Sequence, residues 1–178
     1  TSSCGISTSS ISRSYGASFG DYDNDGFIDL YICNYHTDVI NIKNELYHNN
    51  GDGTFTDVTV SSGVGNGLQQ SFQSTWIDID KDRFLDLYVI NDRLDYPNSF
   101  YLNNGDGTFV DMGPVWGADL EIYAMSSTFA DYDCDGDMDL YVTNGSAGNV
   151  LLSNNLNQGM GFVDVTSSLG VEVNQLCW

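Results

Sequence analysis

The sequence predicts an all-β chain of three consecutive repeats, each supplying about four short antiparallel strands. Three observations carry this. A nine-residue acidic stretch with carboxylates at positions 1, 3, 5 and 9 occurs three times, beginning at Asp21, Asp78 and Asp131. Each copy runs straight into an apolar, strand-forming segment: Leu30-Tyr31-Ile32, Leu87-Tyr88-Val89 and Leu140-Tyr141-Val142. Turn signals flanked by aromatic and β-branched residues follow in the same order, while Gly, Asn and β-branched residues interrupt every window of helical length.

In chain order, residues 1–14 are rich in Ser and Thr around Ile6 and Ile11 and read as an extended arm or edge strand. The first repeat is assigned to 15–64. Tyr15-Gly16-Ala17-Ser18-Phe19 is its first strand, with small residues that let a neighbour approach and Phe19 expected as the core anchor. Ile28 to Cys33 forms the second strand, and Asn34 to Glu45 is a polar connection. Leu46-Tyr47-His48, the turn Asn49-Asn50-Gly51-Asp52-Gly53 and Thr54 to Thr59 then make a hairpin, because Asn and Gly supply positive φ. The second repeat, 65–117, matches with Ser74-Thr75-Trp76-Ile77, Leu85 to Ile90 and Phe100 to Asp111. The third, 118–171, runs Ser127-Thr128-Phe129-Ala130, Met138 to Thr143, Leu151 to Asn155 and Phe162 to Thr166, ahead of a tail at 172–178. Ser61 to Gly67 and Pro114 to Gly117 read as turns between units, and Asp119 to Met125 is the one doubtful helical window.

Charge narrows function. Five Lys and Arg stand against twenty-five Asp and Glu, a formal charge of -20, with twelve of the acids at the four repeated loop positions. Three divalent ions would still leave the surface strongly acidic, so it repels nucleic acid and anionic membrane. Eleven Tyr, nine Phe and three Trp in regularly spaced runs exclude disorder. No stretch is long and apolar enough to span a bilayer, and no signal peptide precedes the first repeat. A chain opening on Thr1 suits a mature product or a fragment. Four cysteines allow three pairings; Cys4 with Cys177 is preferred because it would fasten the ends, with Cys33 as a buried small hydrophobe and intersubunit bridges as the alternative.

The segment Phe19 to Tyr31, followed by Asn49 to Thr59, resembles the FG-GAP or VCBS repeats, the calcium-loop blades of integrin alpha subunits and of many large secreted bacterial proteins. The resemblance covers residues 15 to about 171 in three copies. It implies a four-stranded antiparallel propeller blade with a calcium loop between its first two strands. Two departures stand out: Arg83 replaces the glycine found at Gly26 and Gly136, and Leu156 to Gly161 replaces the Gly-Asp-Gly-Thr turn. Known members close around seven blades, whereas three make an open arc. The chain is then a fragment of a larger propeller, half of a six-bladed dimer, or the unit of a fibre. The apolar tail residues Val171, Val173, Leu176 and Trp178 favour self-association, with dimer and filament both open.

Clustered carboxylates in a turn repel one another unless a hard, oxygen-seeking cation joins them, and calcium fits better than magnesium, which demands a tighter octahedron. The ligands assigned in loop one are Asp21, Asp23, Asp25, the carbonyl of Phe27 and Asp29, with Asp29 placed to bind through both oxygens. Loop two maps onto Asp78, Asp80, Asp82, the carbonyl of Phe84 and Asp86. Loop three maps onto Asp131, Asp133, Asp135, the carbonyl of Asp137 and Asp139. About three calcium sites are expected, the second weakest because Arg83 brings a Cβ and a cation to it. Such loops suit millimolar extracellular calcium, so the chain is read as a secreted, structural or adhesive repeat protein. The alternative is a calcium-dependent glycan-binding module using Trp76, Trp116 or Tyr123, or a site for an extracellular protein ligand. Tyr22 and Tyr132 are read as packing residues, Asn34, Asn91 and Asn144 as local turn partners, and Asn144-Gly145-Ser146 as a glycosylation sequon. No enzyme is expected: His36 and His48 show neither zinc spacing nor a nucleophile–base motif.

Overall fold

The computed structural model describes residues 4–6, 13–35, 42–145 and 148–172. Three four-stranded antiparallel sheets follow one another along the chain. The first is β1 (Ser14–Gly20), β2 (Asp29–Asn34), β3 (Glu45–Asn49) and β4 (Phe55–Asp57). The second is β5 (Ser71–Ile77), β6 (Asp86–Asn91), β7 (Ser99–Asn103) and β8 (Phe109–Asp111). The third is β9 (Ala124–Ala130), β10 (Asp139–Asn144), β11 (Val150–Asn155) and β12 (Gly161–Asp164). Each is a meander in which sequence neighbours pair. The sheets pack in series through their first strands, β5 on β1 and β2, then β9 on β5 and β6. The result is an open run of propeller-blade-like units.

The core lies between the sheets. One cluster joins the first two and includes Tyr22, Tyr31, Leu46, Leu87, Val89 and Phe109, with Trp76 packed against it. A second joins the last two and includes Ile79, Tyr88, Phe100, Leu140 and Phe162, with Trp116 and Phe129 against it. Alternation along a strand explains the division of labour. Ser74 and Trp76 of β5 turn toward the first sheet, where Ser74 Oγ lies 2.6 Å from Ser18 Oγ and a Cβ on Gly20 would meet the Trp76 ring at 2.8 Å. Thr75 turns the other way and its Oγ1 lies 3.1 Å from Ser127 Oγ.

Several expectations are corrected. Phe19 is 67% exposed, not a core anchor. Its equivalents Trp76 and Phe129 are covered because each faces a preceding sheet, whereas among the described residues no sheet lies against that side of β1. The turns between units contain one-turn helices: α1 (Thr59–Ser62), α2 (Gly113–Trp116) and α3 (Thr166–Leu169), each ended by a left-handed glycine, Gly63, Gly117 or Gly170. Asp119 to Met125 is not helical; it is irregular up to a bridge at Tyr123, after which β9 begins. Cys33 is buried and Cys134 exposed, both as free thiols, and burial pushes the Cys33 thiol up to about 12. The Cys4–Cys177 pairing falls outside the described residues through Cys177, as do His36 and the tail positions Val173, Leu176 and Trp178. Among the described residues no helix is long and apolar enough to cross a membrane.

Candidate metal centre

The three acidic loops occupy the same place in each sheet, between the first and second strands. Register fixes this: Gly20 pairs with Asp29, Ile77 with Asp86 and Ala130 with Asp139, so position 9 begins the second strand opposite the last residue of the first. The loop between must fold back on itself. Position 4 is left-handed in all three copies, at Asn24 (φ 59°), Lys81 (φ 65°) and Cys134 (φ 61°), and so is position 6, at Gly26 (φ 91°), Arg83 (φ 82°) and Gly136 (φ 95°).

Backbone N–H groups hold the carboxylates in place. Gly26 N donates to Asp21 Oδ2 at 3.0 Å, Arg83 N to Asp78 Oδ2 at 3.1 Å, and Gly136 N to Asp131 Oδ2 at 3.1 Å. The position-5 carboxylates of Asp25, Asp82 and Asp135 accept from the N–H of Phe27, Phe84 and Asp137 at 2.8, 2.8 and 2.9 Å. The position-9 carboxylates are buried and clasp two elements at once. Asp29 accepts from Tyr22 N and Asn49 N, Asp86 from Ile79 N and Asn103 N, and Asp139 from Tyr132 N and Asn154 N. Loop, second strand and third strand therefore meet at one side chain.

Convergence of ligand atoms follows. One oxygen each from Asp21, Asp23 and Asp25 lies within 4.8 Å of the others, as do Asp78, Asp80 and Asp86, and Asp131, Asp133 and Asp139. In the first repeat Asp23 and Asp29 also converge with His48, whose Nδ1 stands 3.2 Å from Asp23 and 3.4 Å from Asp29. Asp82 and Asp135 stay outside these triads. The donor set fits a hard divalent cation on two observations. Asp78 Oδ1 is buried without a hydrogen-bond partner, and an orphaned carboxylate oxygen among other carboxylates lacks a positive charge. Burial also pushes the Asp29 carboxyl up to about 6 and Asp86 up to about 7, with neighbouring loop acids adding to the shift, and raises Asp139 in the same direction. A cation would remove that penalty by giving the charged forms a partner.

Arg83 follows the glycine backbone and makes the same N–H bond to position 1, so the loop keeps its shape at a strain of about 1–2 kcal/mol. The departure in the third hairpin also has a physical reason. Phe27 and Phe84 at position 7 lie over the hairpin glycines, where a Cβ on Gly51 or Gly105 would stand 2.5 or 2.9 Å from the ring. The third loop has Asp137 there instead, and the side chain of Asn157 in the 3-10 turn Leu156–Gln158 donates to it at 2.8 and 2.6 Å. Loop side chains also link the sheets: Asn24 Nδ2 donates to the Arg83 carbonyl at 2.9 Å, and Lys81 Nζ to Asp137 at 2.7 Å.

Tyr22 is buried and stacks on Trp76 (ring centroids 6.4 Å apart), whereas Tyr132 is exposed. Asn34 and Asn91 are buried and donate to the Lys43 and Pro97 carbonyls. Asn144 is buried too, and Ser146 of its sequon falls outside the described residues. Of the aromatics considered for a sugar platform, Trp76 and Trp116 belong to the packed clusters, and Tyr123 has the Arg93 guanidinium 5.8 Å from its ring centre. His48 was not singled out as a loop partner from the sequence, although it directly precedes Asn49, and the same position holds Leu102 and Ser153 in the other repeats.

A meander of four strands carrying an acidic loop at its first corner, repeated in series, defines a tandem blade-type repeat protein. The description FG-GAP-like repeat matches residues 21–89 and 78–142, each match starting on the first aspartate of a loop and ending within the strand after the next loop. The chain belongs to the FG-GAP-like repeat family. Comparison with curated proteins found no match.

Proposed function

We propose that this chain is a calcium-braced, extracellular repeat module with a structural or adhesive role, exercised by assembly with other copies. The observation that supports it is the repeated clasp at Asp29, Asp86 and Asp139. In each repeat the buried carboxylate ties the loop to two strands, and loop acids converge with it: Asp23 with Asp29, Asp78 and Asp80 with Asp86, and Asp131 and Asp133 with Asp139. When bound, the cation supplies positive charge to ligands drawn from Asp21, Asp23, Asp25 and Asp29 in loop one, and from the matching acids in loops two and three. The chain's own groups do the rest: main-chain N–H donors orient the carboxylates, and the left-handed turn at positions 4 and 6 curls the backbone around them. Such an ion is a brace, because its ligands belong to elements that the fold has already brought together. Family membership points to an adhesion-type repeat module, and a surface of charge -20 suits a calcium-rich exterior. No catalytic role is proposed.

Thermal unfolding tests this reading. An ion that binds the folded loops and not the unfolded chain adds about 2.7 kcal/mol per site at one hundred times its dissociation constant. Excess EGTA is expected to lower the melting temperature by ten degrees or more, on the order of what two such sites supply. An unchanged melting curve contradicts the reading.

A further inference from the structure

We propose that copies of this chain join head to tail, the exposed Phe19 of one seating in the apolar recess on the third sheet of the next. This names the partner for the assembling role above and rests on that reading. The two internal joints supply the template. At the first, Trp76 lies against Tyr22 and Tyr31 (centroids 6.4 and 6.3 Å) over Gly20, in a cluster that includes Leu46. At the second, Phe129 lies against Tyr88 and Phe100, both at 5.9 Å, in a cluster that includes Ile79. Each joint is an aromatic side chain from a first strand entering a socket made by the preceding sheet.

The third sheet carries the same socket. Asp139 and Val171 edge a cavity of about 310 Å³ whose other lining residues are Thr128, Ala130, Tyr132, Tyr141 and Leu151. These stand at the positions of Ser18, Gly20, Tyr22, Tyr31 and Leu46 in the first sheet. Burial shows the difference that a neighbour makes: Tyr22 is 4% exposed, and its equivalent Tyr132 is 41% exposed. The matching side chain is Phe19, at the position of Trp76 and Phe129, and it is 67% exposed. One chain therefore carries both halves of the joint at opposite ends, which is the condition for a heterologous contact. The new joint lacks one feature of its templates. Ser18 meets Ser74 and Thr75 meets Ser127 through hydroxyls, whereas Thr128 would meet Ala17. Association between copies is accordingly weaker than packing within a chain and depends on concentration.

Sedimentation velocity over a concentration series, in saturating calcium, tests the joint on the full chain. Wild type is expected to associate. Phe19→Arg alone and Thr128→Arg alone, both at exposed positions that should leave folding intact, are each expected to raise the dissociation constant more than about tenfold. Mixing the two variants restores one sound joint, Phe19 of one with the recess of the other, and is expected to give heterodimers. Dimers and longer assemblies of wild type both contain the joint. A wild-type chain that stays monomeric overturns the proposal, as does association that survives both substitutions or a mixture that stays monomeric. Melting of each variant with and without EGTA is recorded in parallel. Wild type that fails to associate but keeps its calcium response overturns the joint alone, and wild type that associates but shows no calcium response overturns the calcium reading alone.

Discussion

Asp29, Asp86 and Asp139 show how one residue type at one spacing produces both a fold constraint and a binding site. Their burial raises their proton affinity, so in ion-free protein stability is fully present below about pH 4, the ordinary carboxylate range, and is lost as pH rises through about 6 for Asp29 and about 7 for Asp86. Calcium-stripped protein is thus expected to lose stability between about pH 4 and pH 7, by up to about 1.4 kcal/mol per pH unit for each group still titrating, and to level off above that. Calcium should flatten or reverse the slope, which urea midpoints across that range will show. Arg83 gives a second residue-scale prediction. Arg83→Gly relieves a left-handed non-glycine residue and is expected to stabilise the chain by about 1 kcal/mol and tighten loop two, read by denaturant unfolding with and without calcium. The meeting of the acids at positions 1 and 3 is legible from residue type and spacing, whereas Asp82 and Asp135 at position 5 stay outside the triads. His48 and the Asp137–Asn157 pair are not legible, since their approach depends on how β3 and the third hairpin sit against the loop.

At the scale of the element, local chemistry set the strands, and most were legible from alternation and Asn-Gly turns. The one-turn helices were missed because four residues carry no helical period. A signal was nonetheless present. Asp57, Asp111 and Asp164 each accept a hydrogen bond from the N–H two residues on, and a glycine six residues later ends the turn, at Gly63, Gly117 and Gly170. Packing between elements separates two residues that the sequence alone treats alike. Trp76→Ala empties the first joint and is expected to cost about 3–5 kcal/mol, whereas Phe19→Ala in the monomer should stay within about 0.5 kcal/mol. Equal losses at the two positions, measured by denaturant unfolding, would show that Phe19 is covered within its own chain.

Across the whole molecule, stability resides in two joints and three clasps. Burial of the first-strand aromatic depends on what stands before its sheet, a property of place in the array that no local pattern records. Phe19 is exposed for that reason, while the open series of three sheets is legible from the repeat count. The charge follows the same logic: the acids that make the surface strongly negative are concentrated where the loops converge, so their repulsion is greatest where a cation would relieve it. The most direct measurement is a calorimetric titration of calcium into the metal-stripped chain at neutral pH. Uptake of about three ions per chain, with the weakest step lost in Asp78→Asn and a rise in melting temperature tracking occupancy, is the predicted result. No binding at millimolar calcium, or binding without stabilisation, would contradict the loops' role as ion-held corners of the fold.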